Sequence, residues 1–138
     1  MVLLAEARGA GVDAIEPVPY RVVGRVPETA DTVSLTLEAV DGSMAPARPG
    51  QFVMVWVFGV GEIPISVSGV GDDRHVVLTV RSVGAVSAGI MASALGDVIG
   101  LRGPYGAAWP VAEAAERDVV VVAGGLGLAP LRMAIDEL

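Results

Sequence analysis

The stretch Gln51–Phe58, QFVMVWVF, decides how the rest of the chain reads. In an extended conformation Phe52, Met54, Trp56 and Phe58 fall on one side, and Val53, Val55 and Val57 on the other. A strand that is apolar on both faces needs cover on both. Just before it, APARPGQ is a turn, because Pro49-Gly50 suits the central positions of a type II turn. Just after it, a glycine-flanked loop leads into a short strand, IPISVSG.

Working outward, the same two-residue period recurs. Upstream, YRVVGRV starts at Tyr20, and TVSLTLE sets Val33, Leu35 and Leu37 against Ser34, Thr36 and Glu38. Downstream, HVVLTVRSV sets Val76, Leu78 and Val80 against Val77, Thr79 and Arg81, and DVIGLRG, Asp97 to Gly103, makes a sixth strand. One helix interrupts the series, in VSAGIMASALGD. Ser87 is its expected N-cap, Ile90, Met91 and Leu95 its apolar face, and Gly96 its C′ residue. Six short strands and one helix predict a mainly β chain, a small antiparallel barrel whose closure removes exposed edges.

Composition narrows the function. With 138 residues, 53 % hydrophobic and 18 % charged, the chain has a real core and is not disordered. A net charge of −7 argues against nucleic acid as partner. There is no cysteine, so no disulfide, thiolate metal site or iron–sulfur cluster can form within these residues, and no metal ligand set is read here. No stretch reaches the roughly 18 apolar residues of a membrane helix, and MVLLAEARGAG lacks the basic flank of a signal peptide; a cytoplasmic protein is the expectation. Residues 1–18 read as a leader without a clear period.

The chain closes on DVVVVAGGLGLAPLRMAIDEL, Asp118 to Leu138. Val119 to Ala123 is the kind of run buried in a parallel sheet. Gly124, Gly125 and Gly127 would let backbone N–H groups approach a phosphate, and Pro130 suits the first turn of a helix. Leu131, Ile135 and Leu138 would form that helix's apolar face. Pro130 stands where the dinucleotide fingerprint needs its last glycine, so an ordinary glycine-rich turn stays open beside a nucleotide loop. One strand and one helix cannot make a nucleotide domain alone. The preceding AEAAERD is a linker or a short helix.

Taken in order, RPGQFVMVWV, GEIPISVSG, VRSVGAVSAGI, GLRGPYG and VVVVAGGLGLAPLR resemble the ferredoxin–NADP reductase superfamily over about Pro19 to Leu138. The similarity is greatest to the branch with the gamma subunits of nickel–iron hydrogenases, the B subunit of anaerobic sulfite reductase and the electron-transfer subunit of dihydroorotate dehydrogenase. The resemblance implies a six-stranded Greek-key barrel that binds FAD over residues 19–112, then the first βα unit of a Rossmann-like NAD(P) domain over 113–138. NAD(P)H would be the substrate. A [2Fe-2S] cluster would belong to a C-terminal segment not present here, and the chain is expected to be a shortened form of a longer reductase subunit. Its partner would be a catalytic or iron–sulfur subunit of a redox complex, and self-association is expected from the exposed half unit. The alternative is a docking barrel without flavin.

The resemblance also implies site residues. Ile63, Pro64, Ile65 and Ser66 fall where the family has Arg-x-Tyr-Ser. Ser66 would sit near the flavin atom that takes the hydride, and is the one catalytic candidate. Ile65 replaces a ring-stacking tyrosine, and Ile63 an arginine that pairs with flavin phosphate, a contact worth a few kcal/mol. Ser87 and Val86, at the start of the helix, would receive the pyrophosphate on free amides. Arg81 would supply the cation that Ile63 does not, with Thr79 and Val80 lining the same strand. Gly124, Gly125 and Gly127 would face the nicotinamide nucleotide. Gly103 to Gly106, GPYG, is a tight loop near the flavin or a structural turn. His75, beside Asp72, Asp73 and Arg74, reads as a surface residue, and Trp56 as core. Trp109 could fill the seam between barrel and second domain.

Overall fold

A computed structural model describes residues 15–71 and 74–138; the leader up to residue 14 and Asp72 and Asp73 lie outside the described residues. Six strands run β1 Val18–Thr29, β2 Thr32–Ala39, β3 Phe52–Val57, β4 Gly61–Val70, β5 His75–Arg81 and β6 Val98–Tyr105. Helix α1, Ala85–Ala92, lies between β5 and β6, and α2, Leu128–Glu137, closes the described chain. The strands form a closed antiparallel barrel in the order β1-β2-β5-β4-β3-β6. Closure happens on β1, where Tyr20 is paired with Ala39 of β2 and with Ile99 of β6.

The register follows the two-residue period. Val33, Leu35 and Leu37 of β2 stand opposite Val80, Leu78 and Val76 of β5, all buried. Val53 and Val55 of β3 point the same way and are fully buried. Each such side chain contributes roughly 1.5–3 kcal/mol by leaving water. The other side of β3 is only half-covered. Trp56 pairs with Glu62 and Gly100 and stacks on Phe58 with ring centroids 4.8 Å apart, so it belongs to the outer face and not to the interior expected of it. The Pro49-Gly50 turn forms as read: Gln51 N–H donates to Arg48 O at 3.1 Å and Gly50 has φ +88°.

Three local expectations need correction. Helix α1 starts two residues before Ser87, with Gly84 as N-cap. The Ser87 hydroxyl instead reaches back from inside the first turn and accepts the N–H of Gly84 and of Val83, both at 2.9 Å. The work usually done by a capping glutamate three residues in is done here by serine. The helix also ends at Ala92, where Ser93 turns extended, so Gly96 (φ +93°) belongs to the following turn and Leu95 is exposed. Finally, Gly103 to Tyr105 are the last residues of β6, not a loop, and the Tyr105 ring lies against Phe52 at 5.8 Å.

At the C-terminal end the helix is present and the strand is not. Val119 to Gly124 make no ladder with any described residue, because a single parallel strand has no neighbour to bond. Two short 3-10 turns flank this run, Val111–Ala114 within the expected linker and Gly125–Gly127 in the glycine loop. Helix α2 packs against β4 and buries Met133 and Ala134, while Ile135 and Leu138 are exposed. The expected Leu131–Ile135–Leu138 face is thus split: Leu131 and Leu138 line a groove with Val119 to Val122, and Ile135 lines a crevice beside the barrel. A face patterned for a parallel sheet has none here to pack on.

Candidate functional site

The outer face of β2 and β5 carries the polar half of the alternation. Thr32, Ser34, Thr79 and Arg81 project there because Val33, Leu35, Leu78 and Val80 take the inside. Across from this face stand the glycine loop and α2. Between them lies a crevice of about 700 Å³, within the usual range for a small-molecule or cofactor site. Its barrel wall is polar, with Glu28, Asp31, Ser34, Thr79 and Arg81; its other wall is largely apolar, with Gly125, Leu126, Leu128 and Ile135, plus Arg132.

Two hydrogen-bonded groups organise the barrel wall. The Ser34 hydroxyl donates to Glu28 Oε1 at 2.7 Å and lies 2.9 Å from Thr79 Oγ1, which lies 3.1 Å from the fully buried Ser68 Oγ. Next to this row, Arg81 Nε donates to Asp31 Oδ2 at 2.7 Å, and Asp31 also receives the hydroxyls of Thr29 and Thr32. The Thr29 hydroxyl, then the Arg81 guanidinium, hold the Asp31 carboxyl below the usual carboxylate range. The charged groups of the crevice, Glu28 and Asp31 against Arg81 and Arg132, sum to zero on a chain of −7.

Thr79, Arg81 and Gly125 therefore meet in one cavity, and the other expected residues lie elsewhere. Ile63 pairs with Val55 and Ile65 with Val53, so both isoleucines share the core side of β4 and pack against the core. Pro64 and Ser66 are exposed, Ser66 opposite Phe52. Val80 is buried in the barrel, and Val86 packs at the core's edge near Gly61. Ser87 is buried, and the amides of Val83 and Gly84 already have its hydroxyl as acceptor. Arg81 donates through Nε to Asp31 on the crevice wall. Around Gly124, Gly125 and Gly127 a Cβ would meet no heavy atom within 4 Å, so the loop is open to close approach.

Sequence reasoning missed Glu28, Asp31, Ser34 and Arg132. Alternation alone put Ser34 on the outer face; what it lacked was the strand order that sets β2 beside β5. It also missed a bidentate pair outside the crevice, Arg102 to Glu62, with both bonds at 2.7 Å. Among the described residues no three His, Cys, Asp or Glu side chains converge as a metal site, and no helix is long and apolar enough to cross a membrane.

Comparison with known proteins bears on the barrel as a whole. No protein-family model matches the chain. The gamma subunit of sulfhydrogenase 2 from Pyrococcus furiosus is 44 % identical over 85 residues, covering 62 % of this chain and 30 % of that protein. The probable electron transfer subunit of dihydroorotate dehydrogenase B (NAD(+)) from Methanopyrus kandleri is 39 % identical over 127 residues, covering 91 % of this chain and 45 % of its own length. The cytochrome P450 reductase GcoB of Amycolatopsis superposes with a TM-score of 0.73 at 28 % identity, over 87 % of this chain and 38 % of that one. The barrel has the fold of ferredoxin–NADP reductase-like proteins. The chain spans less than half the length of these relatives. On a barrel of this fold, the crevice on β2 and β5 and the glycine loop facing it form the candidate cofactor site.

Proposed function

We propose that this chain is the flavin-binding part of an electron-transfer subunit that passes electrons from NAD(P)H through FAD to an iron–sulfur partner. The observation that carries this reading is the shared crevice: Thr79 and Arg81, assigned to flavin, and Gly125, assigned to the nicotinamide nucleotide, line one cavity of about 700 Å³. The residues suit a flavin dinucleotide in two ways. A row of hydroxyls on one wall matches a polyol, and the apolar wall of Leu126, Leu128 and Ile135 matches a planar ring.

When bound, FAD supplies hydride acceptance and single-electron release; the protein holds and orients it. In this reading Thr79 and Arg81 hold the cofactor against the barrel. Ser66, exposed on β4 outside the crevice lining, would be the hydrogen-bonding group for the flavin's reacting edge, with Pro64 on the same face. Ile63, Ile65 and Val80 support that strand pair from the core, and Val86 and Ser87 fix the start of α1 near its edge. Gly124, Gly125 and Gly127 receive the pyridine nucleotide. The [2Fe-2S] group belongs to a different segment or subunit, since this sequence has no cysteine.

An absorption spectrum of the purified chain, with any released cofactor identified by mass, tests this. The expected result is a yellow protein carrying FAD and oxidising little NADH alone. A colourless protein that takes up no added FAD overturns it. That outcome supports a second reading, a docking barrel for a redox complex, which the aliphatic Ile63 favours by offering no cation where the family has arginine.

A further inference from the structure

The row running through Glu28, Ser34, Thr79 and Ser68 has more contacts than protons. Four short contacts link it end to end: Glu28 Oε1 to Ser34 Oγ, Ser34 Oγ to Thr79 Oγ1, Thr79 Oγ1 to Ser68 Oγ, and Ser68 Oγ to Val77 O at 3.0 Å. Three hydroxyls bring three protons. Both ends, an ionised carboxylate and a carbonyl, only accept. One contact therefore has lone pairs facing lone pairs, and the row is short of a donor. Ser68 is fully buried, so the shortage can be met only at the crevice end, where Glu28, Ser34 and Thr79 line the cavity.

The chemistry of that end selects the visitor. A phosphate brings only acceptors and would meet the carboxylates of Glu28 and Asp31. A hydroxyl brings a donor and no charge. A ligand hydroxyl that donates to the exposed Glu28 carboxylate in place of Ser34 frees the Ser34 proton for Thr79 and the Thr79 proton for Ser68, and a neighbouring hydroxyl of the same ligand can use the remaining lone pairs at the crevice end. The charged groups around Glu28 are Asp31 from the β1–β2 turn, Arg81 from β5 and Arg132 from α2. Arg81 is held by Asp31, and Arg132 points toward Asp136 at 4.0 Å.

We propose that Glu28, Ser34 and Thr79 form a recognition row for the vicinal hydroxyls of a sugar or sugar alcohol, seating the ribityl chain or a ribose of the cofactor and keeping its phosphates away from the carboxylates of Glu28 and Asp31. This rests on the reading of the crevice as the cofactor site. Ribityl and ribose share the recognising chemistry, so the test separates them.

Amide NMR spectra of the whole chain, titrated with two pairs of probes, decide the matter. Riboflavin is compared with lumiflavin, which lacks the ribityl hydroxyls, and adenosine with 2′,3′-dideoxyadenosine. At least one hydroxyl-bearing probe should shift the amides of Ser34 and Thr79, and its counterpart should bind about tenfold more weakly, the equivalent of one net hydrogen bond. Glu28→Gln and Thr79→Val should each weaken that probe by a similar factor and leave distant amides unmoved. Riboflavin alone passing this comparison assigns the row to the ribityl chain, and adenosine alone to a ribose. Equal binding within both pairs, or no probe reaching these amides, overturns the proposal. FAD binding with lumiflavin equal to riboflavin and dideoxyadenosine equal to adenosine keeps the flavin reading and removes this one. Adenosine held at the row by a chain that takes up no FAD does the reverse.

Discussion

Tyr20 shows how one residue links local chemistry to the closure of the barrel. Its ring is buried where β2 and β6 meet β1, and its hydroxyl oxygen accepts the N–H of Met44 at 3.1 Å. Burial pushes the phenol up from its ordinary value, and the Met44 bond offsets part of that. Tyr20→Phe leaves the Met44 amide without its acceptor and should cost about 1–3 kcal/mol in chemical denaturation. Because the phenol is raised in the folded state, its share of stability is whole below the unfolded value of 10.0 and fades as pH rises through the folded one. Glu62 titrates in the opposite sense. The hydrogen bonds from Arg102 hold its carboxyl below the usual range, so the pair stabilises above the unfolded carboxylate value and is lost as pH falls through the folded one. Glu62→Gln should therefore melt lower than the parent at pH 7, and the gap should narrow as pH falls below the ordinary carboxylate range. Equal melting points at pH 7 would show that this half-buried pair contributes nothing.

Among the elements, strands were legible from sequence and their junctions less so. The alternation in Thr32–Glu38 and His75–Arg81 is strict, so both faces of β2 and β5 follow from it directly. The β3–β4 register turns Ile63 and Ile65 to the inside, which no motif comparison could reveal, since a resemblance aligns letters and not faces. The start of α1 was missed because serine serves as a cap from two different positions, before the helix or within its first turn. The Pro49-Gly50 turn is the element read best, and it is coupled to Trp109. A Cβ on Gly50 would lie 2.7 Å from the indole, and Trp109 N–H donates to Pro49 O at 2.9 Å. Gly50→Ala should cost about 1–2 kcal/mol from the left-handed backbone alone, and displacement of the ring adds to it. A red-shifted tryptophan emission together with a lower melting point is expected; an unchanged emission maximum would show that the ring does not rest on the turn.

At the scale of the molecule, barrel topology was within reach of the sequence and the crevice was not. Six alternating segments with turn signals specify a small closed sheet, but which outer residues face α2 depends on a helix packing that the apolar pattern pointed the wrong way. That same mismatch has a consequence in solution. Val119 to Ala123 makes no ladder with any described residue, and Val120 and Val122 are 86 % and 83 % exposed. Beside them, Trp109, Leu131 and Leu138 line a shallow apolar groove. Unpaired backbone next to exposed valines is the combination that recruits another strand, and folded chains ordinarily cover it. The isolated chain should therefore associate with itself as concentration rises, seen as a growing weight-average mass in sedimentation velocity. Val120→Lys with Val122→Lys should suppress that growth, because two like charges oppose edge pairing. Both side chains are exposed, so the melting temperature should stay close to the parent's. A parent chain that remains monomeric at high concentration would mean that this edge is already satisfied, and the lysine pair would then change neither mass nor stability.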